Sequence, residues 1–276
     1  MTGSSLRIGD MTVTSVSDGN LKTGLDVILG LSPDECSQLA GCAFDAAIWL
    51  PVNSFLLDMG GRKILFDAGS GTNMQPTLGK LPEKLRALGV PPESIETILL
   101  THLHSDHANG LIDAAGKPNF PNAELIVHEQ ESRFWLERDA NDNDSERVRR
   151  TLVISKQVTA PYRGRIRTVP DGEVFPGITA VLGPGHTPGH TCWLLQSGGD
   201  RLLIWGDIVH LPSVQVPRPD SSLVYDVDPV LAPKTRAAVF DWVAREQLPV
   251  AGAHMPAPGF ATITRQDAGY VYAAGP

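Results

Sequence analysis

The chain has 276 residues, of which 42% are hydrophobic and 20% are charged, and this ordinary globular composition predicts one domain, residues 1–276, around a substantial core. The formal net charge is −8, and no Lys/Arg-rich run offsets it locally. Because such a chain repels a polyphosphate backbone, we expect no nucleic-acid partner. The sequence has neither an apolar signal region near its start nor an apolar run of roughly 20 residues, so we expect a cytoplasmic protein without a membrane partner.

Short β-rich runs alternate with turn signals and a few helical stripes, which predicts sheets covered by helices. The charged stretch 137–150 is interpreted as a solvated helix or a mobile loop. Three scattered cysteines are too few for a disulfide framework. In chain order, the predicted elements are strand 63–66, helix 76–88, strand 97–101, strand 124–128, the charged stretch, strand 192–196, strand 202–205 and helix 233–246.

Four side chains able to bind metal stand within six residues, directly after the apolar run that ends at residue 100. A strand sends His102 and His104 to the same face, and a turn that begins at Ser105 would fold Asp106 and His107 back toward them. Imidazole and carboxylate suit zinc, and the absence of cysteine argues against a closed structural site of the four-cysteine type. This segment therefore predicts an open metal site.

Three further candidates, His186, Asp207 and His254, follow at long separations. Each stands at the end of an apolar run and next to glycine, as loops at one edge of a sheet would. Taken singly, a histidine or aspartate after a strand is more often a structural polar group. Together with the first four residues, these three form an ordered set of seven candidate ligands, and the order is more specific than any single residue.

The order H-x-H-x-D-H, then His, Asp and His, resembles the metallo-β-lactamase superfamily, and Asp67 after Phe66 matches the early aspartate of that family. The resemblance implies an α/β (α+β) protein with a four-layered αββα sandwich. It also implies two divalent metal ions at one edge of the two sheets. Zinc is the default for a histidine-rich site, and manganese, iron or cobalt could bind the same ligands.

The family pattern also implies the role of each residue. Asp207 would bridge the metals, a bridging hydroxide would be the nucleophile, and Asp106 would also relay a proton. Asp67 would accept the outward N–H of a ligand imidazole. The implied ligands are His102, His104 and His186 for one metal, and Asp106, His107 and His254 for the other, with Asp207 shared.

Asp207 separates this chain from the zinc β-lactamases, in which a cysteine is a ligand. Several segments are similar to the methyl parathion hydrolase branch, which implies an esterase or lactonase for a small uncharged or weakly charged molecule, with promiscuous phosphotriesterase (organophosphate) activity. His210 stands where related lactonases have a tyrosine, and it would assist the substrate oxygen or line the pocket. Trp135 is interpreted as either a pocket aromatic or a core residue. A homodimer is left open.

Three alternatives remain at this point. A thioester hydrolase of the glyoxalase II type shares the seven ligands, but usually has a basic C-terminal region, and here only Arg265 follows His254. A metal-binding protein without catalysis would need the ligands alone. A di-iron redox module would need a flavin partner and more carboxylate ligands.

Overall fold

The computed structural model describes residues 3–267 and 269–275, and its strands far outnumber its helices. The strands are β1 (Ser5–Ile8), β2 (Met11–Thr23), β3 (Ile28–Leu29), β4 (Ile48–Met59), β5 (Arg62–Phe66), β6 (Thr97–Leu99), β7 (Glu124–His128), β8 (Ile166–Val169), β9 (Gly172–Phe175), β10 (Ile178–Leu182), β11 (Thr191–Ser197), β12 (Asp200–Ile204), β13 (Ser222–Leu223), β14 (Val250–Ala251), β15 (Phe260–Gln266) and β16 (Gly269–Ala274). The α-helices are α1 (Pro33–Ala40), α2 (Leu81–Ala87), α3 (Ser105–Ala108), α4 (Glu129–Ser132), α5 (Glu146–Thr159), α6 (Pro212–Gln215) and α7 (Leu231–Arg245). Short 3₁₀ turns lie at Leu25–Val27, Pro92–Ser94, Asn109–Leu111 and Ala160–Tyr162, and a π-helical turn lies at Arg133–Glu137.

Two seven-stranded sheets form the centre of the molecule. Their strand orders are β1-β2-β4-β5-β6-β7-β8 and β16-β15-β14-β12-β11-β10-β9, and β3 pairs with β13 separately. Strands β5 to β8 run parallel, as do β12 and β14. Parallel neighbours end at the same edge, so the segments that follow these strands are brought together.

Alternation along the strands divides the core into layers. On β5, Ile64 and Phe66 pack between the sheets, whereas Leu65 packs on the outer face. Leu81 of α2 covers that outer face, and Phe240 of α7 covers the outer face of the second sheet. The predicted αββα sandwich is therefore confirmed.

Most predicted strands lie within two residues of their observed bounds, and the differences have local causes. The strand at 97–101 ends early at Leu99, because the Thr101 N–H donates to the Asp67 carboxylate at 2.7 Å instead of to a neighbouring strand. His102 and His104 therefore lie on a loop and not on a strand, which corrects the geometry expected for them. The helix expected at 76–88 begins only at Leu81. Gly79, with a φ of 80°, stands just before it.

The charged stretch is part loop and part helix. Ser145 caps α5 by accepting a hydrogen bond from the Val148 N–H at 3.2 Å, and α5 then continues to Thr159. Leu152 and Val158 on its inner face are buried in the core. No helix in the described ranges is long and apolar enough to cross a membrane. All three cysteines are free.

Candidate metal centre

The seven predicted ligands follow strands of both sheets and meet at their common edge. The segment after β6 supplies the first four, and α3 begins at Ser105, where the turn was predicted. His186, Asp207 and His254 follow β10, β12 and β14. The donor atoms form two clusters, each with all atoms within 4.8 Å of one another: His102, His104 and His186, and Asp106, His107, Asp207 and His254.

Asp207 lies at the centre of the site and is 2% exposed. Its carboxylate oxygens are close to the Nε2 atoms of five imidazoles. The distances are 3.2 Å to His107, 3.3 Å to His186, 3.3 Å to His254, 3.7 Å to His102 and 3.0 Å to His210. Asp207 thus belongs to the second cluster and also lies close to His102 and His186 of the first.

Three imidazoles are fixed from behind by a hydrogen bond from the ring nitrogen that faces away from Asp207. These bonds run from His107 Nδ1 to Asp67 at 2.8 Å, from His186 Nδ1 to Asp226 at 2.8 Å, and from His254 Nδ1 to the Pro51 carbonyl at 2.7 Å. Such a bond selects the tautomer that leaves Nε2 free to bind a cation. Nothing in the sequence around Asp226 distinguished it, because its partner lies 40 residues away.

Asp67 lies directly after β5, beside the loop of the first four candidate ligands. Its backbone has a φ of 59°, a left-handed conformation that is uncommon for aspartate and often found at functional sites. The carboxylate accepts the Thr101 hydroxyl at 2.8 Å, and that hydroxyl lies 3.0 Å from His102 Nδ1. Asp67 therefore holds His107 directly and His102 through Thr101.

The chemistry of the donor set fits cations. The Nε2 atoms of His102 and His107 and one oxygen of Asp207 are buried without a hydrogen-bond partner. Burial alone would raise the pKa of Asp207, but His107, His254 and His210 hold it well below its usual range. Burial lowers the pKa of His254, but the neighbouring Asp207 carboxylate raises it more. The pKa of His254 is therefore raised to about 10. Protons thus balance the buried carboxylates here, and divalent cations can replace them.

Glu131 on α4 is a buried carboxylate that the sequence did not point to. It accepts hydrogen bonds from the Leu103 N–H at 2.8 Å, the Thr187 hydroxyl at 2.6 Å and the Gly189 N–H at 3.0 Å. Burial raises its pKa to about 7, although these hydrogen bonds lower it. One side chain therefore joins the loop of His102 and His104 to the loop of His186.

We expect Glu131→Gln to lower the free energy of unfolding by about 1–3 kcal/mol, because an amide cannot accept all three donors and leaves one buried and unpaired. Metal affinity should fall about 10- to 100-fold as the loops lose their link. Denaturant unfolding and a competition assay for zinc measure the two effects. Glu129→Gln on the same helix is the control, since its pair with Arg133 is exposed. Equal behaviour of the two variants would contradict the role of Glu131.

A cavity of about 520 Å³ opens onto the centre. His104, Asp106, His186, Asp207, His210 and His254 form its floor, and α5, β2 and the segment 73–75 contribute to its walls. This size and this mixture of apolar walls and converging polar groups are typical of sites for small molecules.

The sequence left the roles of His210 and Trp135 open, and the two residues lie in different surroundings. His210 lines the cavity and stacks on His254, with ring centroids 4.8 Å apart. Trp135 is fully buried and packs edge-on against His104, with centroids 5.7 Å apart. Among the described residues that line the cavity, Trp135 is absent, because the π-helical turn directs its ring into the core. The interpretation of Trp135 as a pocket aromatic is therefore corrected.

Two facing sheets between layers of helices, with a histidine and aspartate cluster at their shared edge, define a metallo-β-lactamase fold. Residues 47–254 match the family described as the Metallo-beta-lactamase superfamily. The chain belongs to that superfamily. This confirms the resemblance seen in the order of the ligands.

Comparison with individual proteins gives the same family. N-acyl homoserine lactonase AiiB of Agrobacterium fabrum is 36% identical over 165 residues, which cover 51% of this chain and 56% of that protein. The chain thus spans little more than half the length of this curated relative. Among solved structures, a hydrolase called AbOPH is 31% identical with a TM-score of 0.93, covering 99% of this chain and 98% of that one. AidC, described as a dizinc quorum-quenching lactonase, shares the fold at 22% identity, with a TM-score of 0.90 and coverage of 99% and 97%.

Proposed function

We propose that the protein is a metal-dependent hydrolase of lactones and carboxylic esters that uses two divalent cations, with zinc as the first candidate. The observation that carries this proposal is the position of Asp207 among five imidazoles on the floor of an open cavity. The ligand roles proposed are those that the family pattern implies. A closed structural site would not leave its donor atoms facing a cavity.

The chemistry of hydrolysis divides between the cations and the chain. When bound, the two cations supply Lewis acidity and lower the pKa of a shared water toward neutrality. Burial raises the pKa of Asp106, and His107 and His254 lower it more, so this carboxylate is ionised. It lines the cavity with one oxygen 3.4 Å from His254 Nε2, so it can accept a proton from the attacking water.

His210 is proposed to bind an oxygen of the substrate. Burial lowers its pKa to about 4, so the imidazole is neutral at physiological pH and carries one N–H. Its Nε2 lies 3.0 Å from Asp207, so this N–H is free for a substrate oxygen once cations occupy the Asp207 carboxylate. The Gln215 side chain accepts the backbone N–H of His210 at 2.7 Å and of Leu211 at 3.0 Å, which fixes the turn that presents the ring. A positioned N–H of this kind stabilises charge that develops on a carbonyl or leaving oxygen.

The comparisons support a lactone as the substrate class. The curated relative AiiB is named for N-acyl homoserine lactones, and AidC is described as a lactonase. Ile112, Ile154 and Val158 give the cavity apolar wall that an acyl chain can contact. A weaker phosphotriesterase activity is part of the proposal, because a phosphotriester makes the same demands on metals and water.

We expect kcat/KM for an N-acyl homoserine lactone and an aryl ester to exceed kcat/KM for S-lactoylglutathione and a cephalosporin, with a smaller measurable rate on a neutral phosphotriester. Arg265 cannot bind a glutathione moiety, since it pairs with Asp241 and does not line the cavity. The panel is measured on one zinc-loaded preparation at one pH and ionic strength. A thioester that is preferred by more than about tenfold, or about 1.4 kcal/mol, would replace the assignment by the thioester hydrolase.

A further inference from the structure

Two arginines on the cavity wall make no ion pair or hydrogen bond through their side chains within the described residues. Arg147 and Arg150 lie one turn apart on α5, so they share a face of the helix, and both line the cavity. Across residues 3–267 and 269–275, no carboxylate lies within 4.0 Å of either guanidinium, and neither donates a hydrogen bond. Their charges are therefore available to a ligand.

Neighbouring arginines behave differently. Arg149, between the two, donates to the Asp144 carbonyl at 2.9 Å and does not line the cavity. Arg138 pairs with the Asp144 carboxylate at 2.8 Å. Arg147 stands in the first turn of α5, where a cation opposes the helix dipole, and Arg150 gains nothing from that dipole. Their placement at the cavity is thus not explained by the stability of α5.

Arg147 is held close to the catalytic floor. Its guanidinium lies over the Tyr225 ring, 4.9 Å from the centroid. The Tyr225 hydroxyl is fixed by Thr23 at 2.9 Å, and its ring lies 6.2 Å from the His210 ring. Tyr225 therefore connects the arginine to the side of the cavity where His210 meets the substrate.

A third cation lies on a separate wall. Lys22 of β2 lines the cavity, and its backbone is fixed on both sides by Gln75, at 2.8 Å and 3.0 Å. Its amino group has no ion pair in the described part of the chain. The acidic residues that line the cavity are Asp106 and Asp207, both proposed metal ligands. The cavity is thus locally cationic although the chain carries a net charge of −8.

We propose that Arg147 and Arg150, together with Lys22, form an anion subsite, and that the preferred substrate is an ester or lactone whose acyl part ends in a carboxylate. This inference rests on the proposed hydrolase function. The planar guanidinium binds a carboxylate through two parallel hydrogen bonds, which gives both affinity and orientation. The sequence led us to expect an uncharged or weakly charged ester, and this proposal narrows that expectation to a monoanionic one.

The test uses two esters of one length, para-nitrophenyl hydrogen suberate and para-nitrophenyl methyl suberate, which differ in the distal charge. Water cleaves the aryl ester in both and releases para-nitrophenol and the acid. We expect the zinc-loaded enzyme to prefer the anionic ester by about tenfold in kcat/KM, or about 1.4 kcal/mol. The double variant Arg147→Gln/Arg150→Gln should lose this preference through a higher KM at unchanged kcat, as expected when binding alone is removed.

Arg149→Gln is the matched control, with the same charge on the same helix, and it should keep the preference. Added salt should reduce the preference of the wild-type enzyme and of Arg149→Gln, whereas the double variant has no preference to lose. A second readout is the calorimetric affinity for suberate, which the double variant should lower about tenfold and the control should not change. This readout does not depend on turnover.

The outcomes separate the subsite from the hydrolase function. Hydrolysis of both esters at equal kcat/KM, with no effect of the double variant, overturns the subsite and leaves the hydrolase standing. Suberate binding that depends on the two arginines, without turnover of either ester, retains the subsite and overturns the proposed function. Preferential, arginine-dependent hydrolysis of S-lactoylglutathione also retains the subsite, but assigns it to a thioester. If neither turnover nor arginine-dependent binding is observed, both proposals fail.

Discussion

Prolonged chelation should abolish hydrolysis and lower the midpoint of thermal unfolding by roughly 10 °C, and zinc, manganese or cobalt should restore both. A cation present at a thousand times its dissociation constant stabilises the folded state by about 4 kcal/mol, and each kcal/mol shifts the midpoint by about 2–4 °C in a chain near this size. Without cations, the unpartnered atoms of His102, His107 and Asp207 remain buried. The free energy cost of that burial is what the cations offset.

The measurement combines metal analysis, thermal unfolding and turnover of an aryl ester on one preparation. Close to two equivalents of metal per chain are expected before chelation, since seven donors lie in two clusters around Asp207. Dialysis before the metal is returned excludes inhibition by residual chelator. Full activity in a sample verified to be free of metal would refute the catalytic role of the cations.

The seven candidate ligands that the structure brings together were found from the sequence, because the family's order of residues linked positions that are far apart in the chain. Four of them stand within six residues, and their residue types alone indicate a metal site. His186, Asp207 and His254 are separated by tens of residues, and only the order of the resemblance linked them. Within one sheet, the parallel strands β5 and β6 end at the same edge, and β12 and β14 do so in the other sheet, which explains why a linear order corresponds to a cluster.

The residues that orient these donors could not be found in the same way. Glu131 contacts the backbone of two loops, 28 and 58 residues away, so its role depends on tertiary packing and not on a local pattern. Asp226 acts on His186 across 40 residues. Neither stands in a motif. A buried carboxylate with several donors is recognised only when its neighbours are known.

Strand prediction from the sequence failed for β2 and β4. β2 contains Ser, Thr, Asp and Asn, yet its burial alternates along the first half and it pairs with β4 over the length of both strands. Neither strand was assigned from the sequence, since polar residues separate the apolar positions of β2, and Pro51 and Asn53 interrupt the apolar runs of β4. This omission matters, since β2 carries Lys22 to the cavity and β4 carries Leu50.

The prediction for the charged stretch was also incomplete. The stretch begins in solvent, and the sequence did not show that it leads into α5, which forms a wall of the cavity. Arg147 and Arg150 belong to the outer turns of α5, while Thr151, Ile154 and Val158 continue the same helix along the cavity wall. A charge-rich segment is most often a solvated face. Here the charged face of α5 lies toward the site. Only the tertiary structure, in which α5 packs against α3, shows this.

Asp207→Ala should reduce kcat/KM by more than about a hundredfold, whereas His210→Phe should reduce it by about tenfold. Loss of a residue that merely orients a ligand costs about 10- to 100-fold. Removal of the carboxylate at the centre of five imidazoles leaves two cations without their shared anion, so its effect should be larger. His210 contributes one hydrogen bond to the substrate, worth about 1.4 kcal/mol, and phenylalanine preserves a ring that can stack on His254.

The two variants must be compared at equal metal occupancy, because poor loading of Asp207→Ala would imitate a chemical defect. Both are therefore loaded with zinc, analysed for metal and assayed with the same aryl ester, and the rate is expressed per loaded chain. His210 Nε2 is itself only 3.0 Å from Asp207, so a ligand role for His210 is the competing interpretation. If His210→Phe loses metal and activity as completely as Asp207→Ala, the imidazole binds a cation, and the assignment of Asp207 as the sole shared residue of the site is wrong.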